Sequence, residues 1–414
     1  MEKRVAVVGG GYAGMAAAFA LSEAGLPVTL FESSKNLGGR ARGLDWKGKR
    51  IDNGQHILLG CYHDTLSLVE KACEIQDPFL RMPLSLSIDG FLLKPFPLFP
   101  PFDLLFGLLS AKGISFMERV NAVRFLARKI RLEKDLPVSK LLANEGQNDR
   151  ISALLWHPLC LSALNTPPDE ASASVFLEVL KDGLNGNGSD ILIPKVDLST
   201  LFPKGAARFI EKKGGKILTE RPVRAIRKKG ADFELFTDTE TLSFSHAICA
   251  VAPQHLSRLL KEMPEIPVPG FDYQPICTVY SQYPEEIRLP GKMLGFSKRL
   301  CQWLFDRGQI DGQKGLISGV ISATHPGISM DKIASEIHDA AASLIPHLPP
   351  PIWQKVIVEK RATFSCTVNL QRPQNATPVE NFYLAGDYTE GPYPATIESA
   401  VRSGLACAGS ILAG

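Results

Sequence analysis

Three glycines, a carboxylate and two arginines stand near the start of this 414-residue chain in an order suited to holding phosphates. Gly9, Gly11 and Gly14 follow the apolar run Val5-Ala6-Val7-Val8 in G-x-G-x-x-G spacing, with Tyr12 and Ala13 before the third glycine. The glycines divide the work: a tight turn, a close approach of backbone to a pyrophosphate, and close packing of helix on strand. A helix expected over 15–24 then aims its free amides and positive dipole end at the phosphates. Glu32, followed by Ser33, ends a second apolar run over 27–31. A carboxylate there accepts hydrogen bonds from a ribose and disfavours a 2′-phosphate. Strand, glycines, helix, strand and acid in this order predict a dinucleotide site. Gly38-Gly39-Arg40-Ala41-Arg42 follows at once, with glycines that let the chain bend to a ligand and two guanidinium forks for phosphate oxygens.

Other groups with chemical potential are spread along the chain. Gly54, in Asp52-Asn53-Gly54-Gln55-His56, would let backbone approach a flat ring. His56 beside it is either a proton donor near that ring or a hydrogen-bonded structural histidine. Asn165 and Thr166, at the end of Trp156-His157-Pro158-Leu159-Cys160-Leu161-Ser162-Ala163-Leu164-Asn165-Thr166-Pro167, are the polar groups expected to face a ligand there. Trp303, in Trp303-Leu304-Phe305-Asp306, either walls a pocket or packs a core. Gly386-Asp387 ends an apolar run, and Gly391-Pro392-Tyr393-Pro394-Ala395-Thr396-Ile397 leads into a helix over 398–412.

These residues need a scaffold of alternating elements. The pattern predicts an α/β fold: a doubly wound, Rossmann-like domain from 1–60, 204–255 and 366–414, with an inserted α+β domain from 61–203 and 256–365. A hairpin is expected at 45–49, and an apolar helix before Pro167 with a second helix from 169. Residues 190–202 read as a loop, and a helix opens at Pro203. Strands are expected at 215–219, 221–226, 232–237, 241–244 and 246–250 on return to the first domain. In the inserted domain, strands at 277–283, 303–306 and 316–322 and a helix at 333–345 are expected.

Composition narrows the partners. A net charge of +3 is too small to suggest nucleic acid. Eight cysteines are scattered without C-x-x-C spacing, so no metal site is expected, and free thiols in a reducing cytosol are. The first strand begins at residue 5, which leaves no room ahead of it for a secretory leader, and no apolar run reaches about 18 residues. The expected location is therefore cytoplasmic. One stretch qualifies this. Residues 91–109 are crowded with phenylalanine, proline and leucine, and they read as a core cover, a wall for an apolar substrate, or a contact with a membrane surface. An amphipathic helix over 115–132 follows, with Phe116, Val120, Val123, Ala127 and Ile130 on its inner face and several arginines outside. It reads as a solvated helix or a basic surface for anionic lipid.

The G-G-R-x-R run resembles the second fingerprint (GR2) of the flavin amine oxidase and phytoene desaturase superfamily. That likeness implies FAD, and with no Cys or His in an obvious attachment motif the binding is expected to be non-covalent. It assigns Val223 to the adenine, Ala250 to the strand returning toward the flavin, and Asp387 to a ribityl hydroxyl or, through water, the pyrophosphate. Ala395, Thr396 and Ile397 then open a helix whose amino end steadies the charge of a reduced flavin. GGGYAGMAAA, LGGRAR, DNGQHILLG, HPLCLSALNTP and GDYTEGPYPATIESAVRSG together resemble, over most of the chain, the squalene-associated FAD-dependent desaturases. The likeness implies reduction of hydroxysqualene to squalene in hopanoid synthesis, an apolar C30 isoprenoid as substrate and an unnamed electron donor. A nearby acid assists loss of the hydroxyl, with His56 and Tyr393 as candidates. Other readings are a carotenoid desaturase, an amine oxidase, or a non-catalytic FAD- and lipid-binding protein. The resemblance disfavours the amine oxidase, since those enzymes often carry a lysine, water-linked to flavin N5, on a substrate-domain strand, and residues 270–280 contain none.

Overall fold

A computed structural model describes residues 3–184, 188–323 and 327–414. At its centre is a parallel sheet in the order Lys216–Leu218, Val28–Phe31, Val5–Val8, His246–Cys249 and Phe382–Leu384. Strand β1 (Val5–Val8) lies between β2 (Val28–Phe31) and His246–Cys249, with Val8 level with Phe31 and Cys249. Its four residues are all buried, as a strand covered on both faces must be, and this is why they read as one unbroken apolar run.

Helix α1 (Tyr12–Glu23) is buried on nearly every side. Its alanines let the C-terminal helix, Ile397–Ala413, lie close against it, where a Cβ on Gly404 would collide with the Ala13 carbonyl. Segments remote in sequence therefore share one core, which joins Met15, Phe19 and Leu30 to Val401 and Cys407. Two segments assigned from sequence to the inserted domain, His63–Ala72 and Leu198–Leu201, also pack here through Leu68, Val69, Leu198 and Leu201.

The meander Ala225–Lys229, Asp232–Phe236 and Thr241–Phe244 lies over the sheet and seats Phe233 against Phe382, with ring centres 5.4 Å apart. Its first strand begins later than expected. The Arg221 amide donates to the Glu32 carbonyl at 2.9 Å, so this stretch crosses the end of β2 before joining the meander.

The second large sheet has seven strands: Trp353–Phe364, Tyr273–Gln282, Leu316–Ser322, Trp303–Asp306, Met293–Gly295, Leu86–Ile88 and Phe91–Leu93. Residues 190–202 are not a simple loop. Ile191–Pro194 is a fully buried central strand between Leu58–Leu59 and Phe79–Met82. The helix expected from residue 169 begins at Ala173, capped by Ser172, because Ala171 is held in a bridge to Thr367. In the helix Phe116–Ala127 the inner face also differs from expectation: Glu118, Ala122 and Phe125 are buried, and Phe116 is 71% exposed. A capping box between Ser115 and Glu118 and the edge-on packing of Phe125 against Trp156 set that rotation. Among the described residues no helix is long and apolar enough to cross a membrane.

Candidate active site

A cavity of about 1040 Å³ opens along the carboxyl edge of the parallel sheet and continues beneath the second sheet. Its size lies at the upper end of ligand cavities, about 300–1,000 Å³. The carboxyl edge of an open α/β sheet is also where a nucleotide binds.

The first wall is backbone. Gly9, Gly11, Tyr12 and Ala13 line the cavity at the amino end of α1. Gly9 has φ +113°, and a Cβ there would sit 2.5 Å from the Ala250 carbonyl oxygen. The turn thus excludes any side chain. Gly14 does not face the cavity; a Cβ would strike the Gly9 carbonyl, so its task is helix-to-turn packing. The second glycine-rich loop rests against the first, with the Gly38 amide donating to the Gly10 carbonyl at 2.8 Å. The Tyr12 hydroxyl donates away from the cavity, to the Leu198 carbonyl at 2.9 Å.

Charged groups stand along this wall. Glu32 Oε2 accepts from the Gly10 amide at 2.7 Å and Oε1 from the Ser34 amide at 2.7 Å, fixing the carboxylate at the cavity edge beside Ser33. Arg40 pairs with Asp387 and also donates to the Ala362 carbonyl at 2.7 Å. Arg42 donates to the Gly39 carbonyl at 2.8 Å. Asp387 is therefore not a free acceptor: one oxygen is held by Arg40, leaving the other for a ligand. Gly386, Val223 and Ala250 complete this end.

Gly54, Gln55 and His56 also line the cavity, as do Ala395, Thr396 and Ile397. Thr396 caps the C-terminal helix by accepting from the Ser399 amide at 3.1 Å. His56 Nδ1 lies 2.8 Å from the Gly54 carbonyl. A carbonyl only accepts, so Nδ1 carries the proton and Nε2 keeps a lone pair. Burial lowers the imidazole's pKa below its ordinary 6.5, which keeps the ring neutral.

Sequence reasoning gave no sign of what holds this loop. Gln55 Oε1 accepts from Arg307 Nη1 at 3.1 Å and from the Ser318 hydroxyl at 2.8 Å. The Gln55 amide donates to Thr278 Oγ1 at 3.2 Å. Arg307 is buried and paired with Asp311 one turn along its helix. Close by, burial pushes the Asp52 carboxyl up to about 7, against the Leu198 amide that donates to it at 2.8 Å.

Beyond His56 the lining turns apolar, with Ile57, Ala163, Ile276, Trp303, Phe305 and Val320. Trp303 spends its indole N–H on Ser162 Oγ at 3.0 Å, leaving the ring as wall. Asn165 borders the cavity, but its amide is engaged: Nδ2 donates to Thr363 Oγ1 at 2.9 Å and Oδ1 accepts from the Ala323 amide at 3.0 Å. Thr166 lies behind the wall, where its hydroxyl donates to the Leu164 carbonyl at 3.0 Å.

Tyr393 requires a correction. Its hydroxyl donates to Asp182, and its ring stands behind that of Tyr62, with centres 6.4 Å apart. Tyr62, not Tyr393, lines the cavity. The Thr396 hydroxyl lies beside the Tyr62 phenol, and burial raises that phenol's pKa, so it stays protonated. The stretch 91–109 contributes nothing to this lining: Phe96, Phe99, Phe102 and Phe106 are exposed instead. Among the described residues no cluster of His, Cys, Asp and Glu could hold a metal ion.

The arrangement fits FAD. A side-chain-free turn and helix amino end suit a pyrophosphate, Glu32 suits a ribose, and the Gly54 loop with the C-terminal helix suits a flavin ring.

The family model described as flavin containing amine oxidoreductase matches residues 12–412. Hydroxysqualene dehydroxylase of Rhodopseudomonas palustris is 29% identical over 100% of this chain and 99% of its own length. The protein of that name from Zymomonas mobilis is 27% identical over 97% of each chain. In three dimensions an oxidoreductase from Methanosarcina mazei superposes with a TM-score of 0.75 at 16% identity, covering 99% of this chain and 100% of the other.

Proposed function

Because the chain belongs to the flavin containing amine oxidoreductase family and takes FAD as its cofactor, we propose that it reduces hydroxysqualene to squalene in hopanoid synthesis. One observation carries this reading: a nucleotide cradle and an apolar lining share a single cavity, which His56 and Tyr62 also border. The names of the two relatives point to the same substrate. The reaction exchanges a C–OH bond for C–H. The hydroxyl takes up one proton and leaves as water, while the carbon gains a hydride and with it two electrons.

Reduced FAD, when bound, supplies the hydride from its N5. This chain's residues do the remainder. Ile57, Trp303, Phe305 and Val320 hold the hydrocarbon and exclude water from the reacting carbon. His56 Nε2, a neutral acceptor, orients the substrate hydroxyl by taking its hydrogen bond. Tyr62 Oη donates the proton to the departing oxygen and recovers it through Thr396. His56 is thus a positioning acceptor, and the acid is a neighbouring phenol. A separate reductant recharges the cofactor between turnovers. A C30 substrate partitions into lipid, so the protein works at the cytoplasmic face of a membrane.

The test sets three substrates against one preparation: hydroxysqualene with reduced enzyme, and phytoene or a primary amine with oxidised enzyme. Squalene from the first alone is expected. A desaturated carotenoid would move the assignment to a desaturase, and no product from any of the three would leave an FAD- and lipid-binding protein. Amine oxidation is disfavoured because the lysine that amine oxidases often carry on a substrate-domain strand is missing from residues 270–280.

A further inference from the structure

The apolar stretch that does not line the cavity forms a surface of its own. The edge strand Phe91–Leu93 leaves the seven-stranded sheet, passes through a proline-braced turn and enters the helix Phe102–Leu109. That helix packs along Phe116–Ala127. Their shared inner side is core, with Leu108, Ala111, Ile114 and Phe125 buried. On the outer side Phe96, Phe99, Phe102, Phe106, Phe116 and Met117 are exposed. Phe99 and Phe116 are each 71% exposed, far more than a solvated surface needs. The rings brace one another and so stand outward in fixed positions: Phe96 with Phe106 at 6.2 Å and Phe99 with Phe102 at 5.4 Å.

The charge around this patch is mostly basic. Between 94 and 131 the basic residues are Lys94, Lys112, Arg119, Arg124, Arg128, Lys129 and Arg131, against only Asp103 and Glu118. Glu118 is buried in its capping box and adds little to the surface field. Arg119 spends its guanidinium on the Leu109 and Ile114 carbonyls, and Arg128 is paired with Glu145. Lys94, Lys112, Arg124 and Lys129 remain exposed at the rim. Arg124 lies two turns beyond Met117 on the same stripe of the helix.

An aromatic face rimmed by lysine and arginine matches a bilayer with anionic headgroups, where rings enter the acyl boundary and each nearby cation adds attraction to the surface. We infer that residues 94–129 form a monotopic docking face for an anionic lipid surface. The patch hangs from the sheet whose strands Trp303–Asp306 and Leu316–Ser322 wall the apolar chamber, so docking sets that sheet against the lipid. The inference extends the reading of a lipid-borne substrate, but its test does not pass through turnover.

Full-length holoenzyme is floated with vesicles of phosphatidylcholine alone and of phosphatidylcholine with 30% phosphatidylglycerol. Wild type is expected to float with the anionic vesicles and to be released as salt is raised. F99E/F106E should lower the bound fraction about tenfold on both compositions, and R124E/K129E should lower it on anionic vesicles only. Retained FAD absorbance shows that each variant is folded. If the phenylalanine pair loses FAD, F99S/F116S gives the same reading with a milder change. Wild type that floats with neither vesicle, or variants that float as well as wild type, would overturn the inference. So would self-association of wild type in sedimentation that F99E/F106E abolishes without any vesicle binding, since the patch would then be an interface between copies. Both pairs should keep wild-type turnover of detergent-dispersed substrate, so a failed dehydroxylation assay stays distinct from failed docking.

Discussion

Of the residues that line the cavity, His56 and Tyr62 have separable parts. His56→Gln should keep FAD bound and lower kcat/KM about tenfold, because an amide still accepts a hydrogen bond but places it differently. Unchanged turnover would remove His56 from the reaction. The acid limb of the wild-type kcat/KM profile should lie below pH 6.5, since burial lowers the imidazole's pKa and the ring accepts only while neutral; the variant should lack that limb. Tyr62→Phe should cost about 10²-fold in kcat with the flavin spectrum intact. Tyr393→Phe breaks the bond to Asp182 behind the wall and should cost about 1 kcal/mol of stability with kcat preserved. The reverse ranking in a kcat assay would return the acid to Tyr393. Sequence pointed to Tyr393 because its motif precedes the helix that meets the cofactor. Its true partner lies more than 200 residues away, and such a pairing leaves no local mark. Glu32 and the glycines were legible because residue type and spacing along a strand–turn–helix–strand unit mark them, and His56 because its bond to the Gly54 carbonyl lies within two residues.

At the scale of elements, the site depends on helices lying closer to backbone than most side chains permit. A leucine at 404 has no room beside the Ala13 carbonyl. Gly404→Leu should cost about 1–3 kcal/mol and release FAD, because it pushes α1 and with it the glycine turn. A variant that retains cofactor and wild-type melting would disprove the coupling. The strand–glycine–helix unit was readable from sequence because buried parallel strands form continuous apolar runs. The inner face of the helix after residue 115 was read in part: Val123 and Ile130 pack against the core, and Phe116 does not. Its periodicity fitted Phe116 and Val120 as inner residues, but a capping box buries Glu118 and turns the phenylalanine outward. Ile191–Pro194 escaped notice for another reason: four residues are too few to show a period, and both neighbours come from distant sequence.

Across the whole molecule, the cavity that fits FAD is lined by segments from both ends of the chain, so binding there should add to folding stability. Free FAD at one hundred times Kd should stabilise the protein by about 2.7 kcal/mol, visible as a melting temperature several degrees above that of apoprotein. Stability should also respond to pH through Asp52. Its folded pKa is raised to about 7 from 3.8, so the folded state holds a proton there that the unfolded state has lost. The protein consequently loses stability as pH rises from 3.8 toward 7, and the full cost is present above that window. Asp52→Asn should raise the melting temperature at pH 8 and leave it nearly unchanged below pH 4. An equal gain at both would show that the carboxyl is not strained by burial. The cofactor half was legible because its motifs bracket the chain. The clamp of Arg307 and Asp311 on Gln55 was not, since it exists only where the second sheet meets the first.

If one cavity brings a reduced flavin to an isoprenoid alcohol, the two must exchange electrons without any other protein. The most direct measurement is an anaerobic single turnover: photoreduced holoenzyme mixed with hydroxysqualene, followed by flavin absorbance and squalene yield. The flavin should reoxidise with one squalene formed per flavin, and squalene itself should produce no change. A flavin that stays bleached while the alcohol is recovered intact would contradict the account.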